Sequence, residues 1–207
     1  MKLVVISDTH LRHEHFGRLQ GDVLIHCGDM FDLFEEDGAD MAAMDRWFGE
    51  QDFDLVLCTG GNHDLPLERA LQRDPQPFRN AVYLQDDAYT YQGKVFWGSP
   101  WVPDLPYHAF HASSRELVDK WSRIPVGVDV LITHTPPRSI LDESSGGYAL
   151  GCHDLMQAVN HVKPSVHCFG HIHHSRGELQ RRGIRFINAC SVQRGVDGVL
   201  DPVVVEL

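Results

Sequence analysis

The chain has 207 residues, 43% hydrophobic and 23% charged, which is enough for one sizeable core and short for two domains. Its formal net charge of -11, from 29 acidic against 18 basic residues, disfavours a binder of long nucleic acid but not of a small phosphate ester. No apolar run approaches the ~20 residues of a membrane span, so no membrane partner is expected.

The N-terminus lacks a signal-peptide pattern, because Met1-Lys2 leads through a very short apolar run straight into Ser7-Asp8-Thr9-His10. The five cysteines, at positions 27, 58, 152, 168 and 190, form no CxxC pair and cannot all be bridged. Buried thiols in a reducing compartment follow, and with them a cytoplasmic protein. Fourteen histidines exceed what general composition suggests, and histidine is the commonest metal ligand.

In chain order, Leu3–Ser7 reads as a buried strand ending in Asp8-Thr9-His10, and Val23–Cys27 as a second ending in Gly28-Asp29. The acidic stretch with Glu35-Glu36-Asp37 reads as a solvated loop, and Asp40 as the cap of a helix to about Glu50. Asp54–Cys58 is a third buried strand, opening into Thr59-Gly-Gly-Asn-His-Asp64. Pro66 suits the first turn of a helix to about Arg73. Ala81–Gln85 and Tyr89–Trp97 read as strands, the second broken by a turn at Gln92-Gly93. A Pro- and aromatic-rich loop, Ser99–Ala112, leads to a helix capped by Ser113. Asp129–Thr133 is a further buried strand, ending in His134.

Cys152–Val162 fits a helix, and Ser165–Phe169 a strand that runs into Gly170-His-Ile-His173. Glu178–Ala189 reads as a hairpin around Arg182-Gly183, and Val203–Leu207 as a closing strand. With no repeat, low-complexity tract or linker, the expectation is one domain over residues 1–207. Nearly every apolar strand delivers a polar cluster at its C-terminal end, where open α/β sheets place their ligands. Buried runs mixed with hairpins argue for two packed mixed sheets flanked by helices.

Asp8-Thr-His10, Gly28-Asp29, Gly61-Asn-His-Asp64, His134 and Gly170-His-Ile-His173 occur in an order that resembles the calcineurin-like metallophosphoesterases. The pieces Gly98-Ser-Pro-Trp101 and Ile132-Thr-His-Thr-Pro-Pro137 look like those of their small members without a cap domain. The resemblance implies a four-layer αββα sandwich and a two-metal hydrolytic site. It assigns Asp8, His10, Asp29 and His173 to one ion, and Asp29, Asn62, His134 and His171 to the other. A carboxylate such as Asp29 can bridge ions held ~3.5–4 Å apart in such sites. Mn²⁺ is the leading cofactor, with Fe, Zn or Ni as alternatives.

By the same resemblance, His63 is not a ligand but faces the leaving-group oxygen. Asp32 would orient it, with Asp64 competing for that role or capping the helix at Pro66. Arg12 and Arg138 each follow a ligand motif and are candidates for binding a phosphate oxygen. Trp101 is a candidate for stacking on a nucleobase, in a loop shared with Tyr107, His108 and Phe110. The implied activity is hydrolysis of small-molecule phosphodiesters, cyclic nucleotides being the leading class. Phosphomonoesterase or protein phosphatase activity is the runner-up, although Gly61 stands where serine/threonine phosphatases carry an arginine. A catalytically silent interaction scaffold is the non-enzymatic alternative. The sequence leaves the oligomeric state open.

Overall fold

The computed structural model describes residues 1–32 and 38–207, so the Glu35-Glu36-Asp37 loop lies outside the described residues. Strands β1 (Lys2–Ile6), β2 (Gln20–His26) and β3 (Asp52–Cys58) each bury their last four residues. Such unbroken apolar runs belong to strands covered on both faces. With β4 (Val82–Tyr83) they pair in parallel, and β11 (Val203–Glu206) adds antiparallel to β1, giving the order β11-β1-β2-β3-β4. Register sets Ile6 beside His26 and His26 beside Cys58, so the loops after these strands emerge side by side.

The second sheet contains β5 (Asp87–Tyr91), β6 (Lys94–Ser99), β7 (Val130–Thr133), β8 (Val166–Phe169), β9 (Gly177–Arg181) and β10 (Ile184–Asn188). Its order is β5-β6-β7-β8-β10-β9, parallel from β6 to β10 with an antiparallel hairpin at each edge. Both hairpins turn on a residue-glycine pair with positive φ at each position: Gln92 and Gly93 at 46° and 77°, Arg182 and Gly183 at 53° and 81°. That is the turn whose twist matches paired strands.

One face of each sheet meets the other in a shared core that includes Val5, Ile25 and Leu57 from the first and Phe96, Ile132 and Cys168 from the second. The outer face of the first sheet packs under helices α1 (Gly38–Glu50) and α2 (Leu65–Leu71), through Trp47, Phe48 and Leu67. The outer face of the second packs under α3 (Ser114–Ser122) and α4 (His153–Val162), through Trp121 and Leu155. The result is the expected four layers, helix, sheet, sheet, helix. Among the described residues no helix is long and apolar enough to cross a membrane. Ser113 begins α3, its N–H and hydroxyl both donating to Glu116, at 2.8 and 2.6 Å. Asp40 does not cap α1: that helix starts two residues earlier, at Gly38, which puts Asp40 inside its first turn.

Two core histidines are fully buried against threonine hydroxyls: His26 at 3.0 Å from Thr9 and His167 at 2.8 Å from Thr133. Burial pushes both imidazoles down to about 3. The unfolded chain binds these protons below about 6.5, the folded one only near 3, so their contribution to stability is complete above 6.5 and lost as pH falls. Urea unfolding should show stability declining through this window. His167→Gln should flatten the slope by up to about 1.4 kcal/mol per pH unit.

Candidate metal centre

The strand ends converge on one spot along the seam between the sheets. Asp8 follows β1, Asp29 follows β2 and Asn62 follows β3, while His134 follows β7 and His171 and His173 follow β8. Several positions here take left-handed backbone: Asp8 at φ 52°, His10 at 43°, Asp29 at 55° and His171 at 69°. Such positions cost of order 1–3 kcal/mol each and persist where surrounding bonds fix them. Here the Asp8 N–H donates to Gly28 O at 2.9 Å, and the His10 N–H to Asp29 O at 3.2 Å. The His171 N–H reaches the Asp8 carboxylate at 3.0 Å.

Two glycines are dictated by contact. A Cβ on Gly61 would strike the Asp29 carboxylate and the His134 ring, and one on Gly170 would strike Asp8 and Ser7. No side chain, arginine included, fits at position 61 without moving the site.

The donor atoms of Asp8, His10 and Asp29 lie within 4.8 Å of one another, as do those of Asp29, His134 and His171. Asp29 belongs to both groups. Beside the first group, His173, which clusters with Asp8 and Cys190, has its Nε2 3.2 Å from Asp8 Oδ1 and 3.3 Å from His10 Nε2. In the second, His134 Nε2 is 3.4 Å from Asp29 Oδ2 and 3.0 Å from Asn62 Oδ1. The far nitrogens are tied to backbone carbonyls: His10 Nδ1 to Phe31 at 3.1 Å, His134 Nδ1 to Cys27 at 2.9 Å and His173 Nδ1 to Val192 at 2.6 Å. These bonds fix the tautomer that turns each Nε2 lone pair inward, as metal-ligating imidazoles require. Carboxylate, imidazole and amide oxygen facing one another at such distances form a donor set that fits two divalent transition-metal ions.

The electrostatics agree. Burial raises the Asp29 carboxyl, yet the adjoining His134 ring outweighs it and brings the pKa down to about 2. Burial lowers His134 and His173, but Asp29 beside the one and Asp8 beside the other carry both up to about 9. The site therefore concentrates negative potential, the condition for holding cations.

Residues 1–175 match the Calcineurin-like phosphoesterase family. The chain belongs to that family. Metallophosphoesterase domain-containing protein 1 of Homo sapiens is 31% identical over 232 residues, covering 100% of this chain and 71% of the human protein. The UPF0046 protein K07C11.7 of Caenorhabditis elegans is 30% identical over 209 residues, covering 94% of this chain and 71% of its own. Among solved structures, TT1561 of Thermus thermophilus shares the fold, with a TM-score of 0.66 at 12% identity over 91% of this chain and 88% of that one.

Of the other residues singled out in this phosphoesterase, several lie elsewhere than expected. Asp32 sits 3.2 Å from His10 Nδ1 and in one cluster with both His10 and His63, while His63 Nδ1 has no hydrogen-bond partner among the described residues. His63 borders the site, its Nε2 3.9 Å from Asp29 Oδ2 and its ring 4.7 Å edge-on from that of His10. Burial lowers its pKa, against the pull of Asp29. The Trp101 indole N–H donates to Asp86 at 2.9 Å, and Lys120 covers one face of its ring at 3.2 Å. Arg12 is exposed on the loop after β1. Arg138 lines a cleft of about 470 Å³ that has Asn62 and His171 at its inner end.

Asp64 neither orients His63 nor caps α2 with its side chain. It is fully buried, and its carboxylate accepts four backbone N–H bonds. Met30 and Phe31 donate to one oxygen at 2.8 and 3.1 Å, and Asp29 and Gly61 to the other at 2.9 and 2.8 Å. Burial and the Asp29 charge raise its pKa, while the N–H bonds from Phe31 and Gly61 pull it back toward the ionised form, whose two oxygens accept all four bonds. Sequence reasoning also passed over Asn188 and Cys190, though both lie at a strand end. Asn188 braces the histidine turn through Ile172 O at 2.9 Å, and the Cys190 thiol donates to Asp8 at 3.1 Å.

Asp64→Asn places an N–H₂ group against backbone donors while conserving volume. Metal content after reconstitution, read by elemental analysis, should fall well below that of the wild type, and the Tm should drop by several degrees. Unchanged metal content would remove the organising role given to Asp64.

Proposed function

We propose that the chain hydrolyses small-molecule phosphodiesters at a two-metal site, cyclic nucleotides being the leading substrate class and Mn²⁺ the leading metal. The observation that supports this most directly is Asp29, whose carboxylate is shared between two separate groups of inward-facing donors. When bound, such a pair of ions lowers the pKa of a water and clamps the attacking and leaving oxygens. The chain's own residues do the rest. Asp8, His10 and His173 hold one position, Asn62, His134 and His171 the other, and Asp29 spans both. His63, at the border and 26% exposed, is placed to meet the leaving-group oxygen. There it would donate an N–H bond to that oxygen, or a proton as the ester bond breaks. The adjoining cleft gives the second ester substituent somewhere to go.

A monoester carries up to two charges and gains from a cation beyond the metals. Gly61 offers none and cannot be replaced by arginine, Arg12 is not among the residues that line the cleft, and Arg138, which does line it, shares that lining with Asp104. That favours the diester over the phosphomonoesterase and protein-phosphatase reading. The full set of donors speaks against a silent scaffold.

The purified protein should bind up to two transition-metal ions, and chelation should abolish hydrolysis of bis(4-nitrophenyl) phosphate. Activity that survives in a metal-free preparation would rule the mechanism out, and a clear preference for 4-nitrophenyl phosphate would sink the diesterase.

His63→Ala should leave metal content near normal while lowering kcat by ~10²–10⁴-fold on diesters with poor leaving groups. On nitrophenyl diesters, which need little protonation, the loss should be small. A parallel fall in metal content would make His63 a ligand instead.

A further inference from the structure

The cleft beside the metal centre has walls of mixed chemistry. Leu105 and Leu150, from two different loops, give it apolar sides, and Asp104 and Arg138 give it one carboxylate and one guanidinium. Among the described residues no ion pair joins these two charges. Arg138 Nη1 donates to Ala149 O at 2.6 Å, which anchors the guanidinium, and its other N–H groups have no protein acceptor among the described residues. Near the inner end, the His108 ring lies 6.4 Å from that of His63, and its Nδ1 is buried without a partner among the described residues.

Resting on the phosphodiesterase reading, we propose that this cleft is the specificity subsite for the organic group of the ester, and that it selects an uncharged ring offering both a hydrogen-bond donor and an acceptor. Position is the first argument. Asn62 and His171 belong both to the candidate metal centre and to the lining of this cleft, so a phosphoryl group held there would direct one of its substituents into this space. Size is the second: about 470 Å³ falls within the ~300–1,000 Å³ range of small-molecule sites. Chemistry is the third. An ionised Asp104 can only accept and Arg138 can only donate, so the pair matches a ring edge that carries both functions. A second phosphate on the substrate would meet Asp104 with like charge, and a plain phenyl ring would leave both charges without partners. The pair is net neutral, and the apolar walls suit a flat ring between the loops.

Calorimetry on the Mn²⁺-loaded protein tests this with three monoesters: uridine 5′-phosphate, ribose 5-phosphate and phenyl phosphate. Asp104 has left-handed backbone at φ 57°, a conformation asparagine also tolerates, so Asp104→Asn removes the charge with little backbone cost. Uridine 5′-phosphate should bind the wild type ~10-fold or more tighter than either other ligand, the size of effect expected for a bond to a charged group. Asp104→Asn should erase most of that preference while changing phenyl phosphate affinity by less than about 2-fold. Equal binding of ribose 5-phosphate and uridine 5′-phosphate would overturn the ring assignment. A preference untouched by Asp104→Asn would overturn the role of Asp104. Turnover of bis(4-nitrophenyl) phosphate by the same preparations tests the underlying reading separately. A protein that hydrolyses the diester without the binding preference loses only this inference, and one with the preference but no hydrolysis loses only the diesterase.

Discussion

The buried carboxylate of Asp64 gathers the backbone N–H groups of Asp29, Met30, Phe31 and Gly61 on its two oxygens, all at 2.8 to 3.1 Å. That clamps the loop after β2 to the loop after β3, and the rest of the centre depends on it. The clamp matters because Asp29 sits at φ 55°, a conformation an unrestrained aspartate would leave. Asp29 in turn accepts the His63 N–H at 2.8 Å, and Asp8 accepts that of His171. Each carboxylate thus fixes the backbone of another functional residue as well as offering an oxygen to the site. The hydrogen bonds that satisfy these buried charges are the same ones that set the geometry of the donors.

Concentrating three carboxylates in a dry interior is costly unless positive charge answers them. The neighbouring imidazoles answer part of it, as the raised His134 and His173 show. Divalent ions answer it more fully, and the carbonyls behind His10, His134 and His173 leave the inward nitrogens free for that purpose.

Much of this was legible in the sequence, and the reasons differ by element. Strands could be read because their runs are buried on both faces, as in the last four residues of β1, β2 and β3. The hairpins could be read because Gln92-Gly93 and Arg182-Gly183 carry their own turn geometry. The donor residues could be read because they sit immediately after strands, where local order and spatial order coincide. What failed depended on distant partners. The loop sequence around Trp101 does not show that Asp86 and Lys120, 15 and 19 residues away, engage its N–H and its ring face. Asp32 falls in one cluster with both His10 and His63, and spacing alone does not show that His10 is the one 3.2 Å away. The role of Asp64 depends on three amides more than thirty residues upstream, which no local pattern displays.

The split origin of the donors bears on how the protein is made. Asp8, His10, Asp29 and Asn62 follow strands of the first sheet, whereas His134, His171 and His173 follow strands of the second, and 163 residues separate His10 from His173. Neither sheet alone presents all seven candidate donors. A ribosome must have released the chain past His173, and the two sheets must have docked, before the donors can gather. Contacts of such long sequence separation form late, after most loop-closure entropy has been lost. A fragment that stops short of His173 therefore cannot gather the full set of candidate donors, and the set forms only once both sheets have docked.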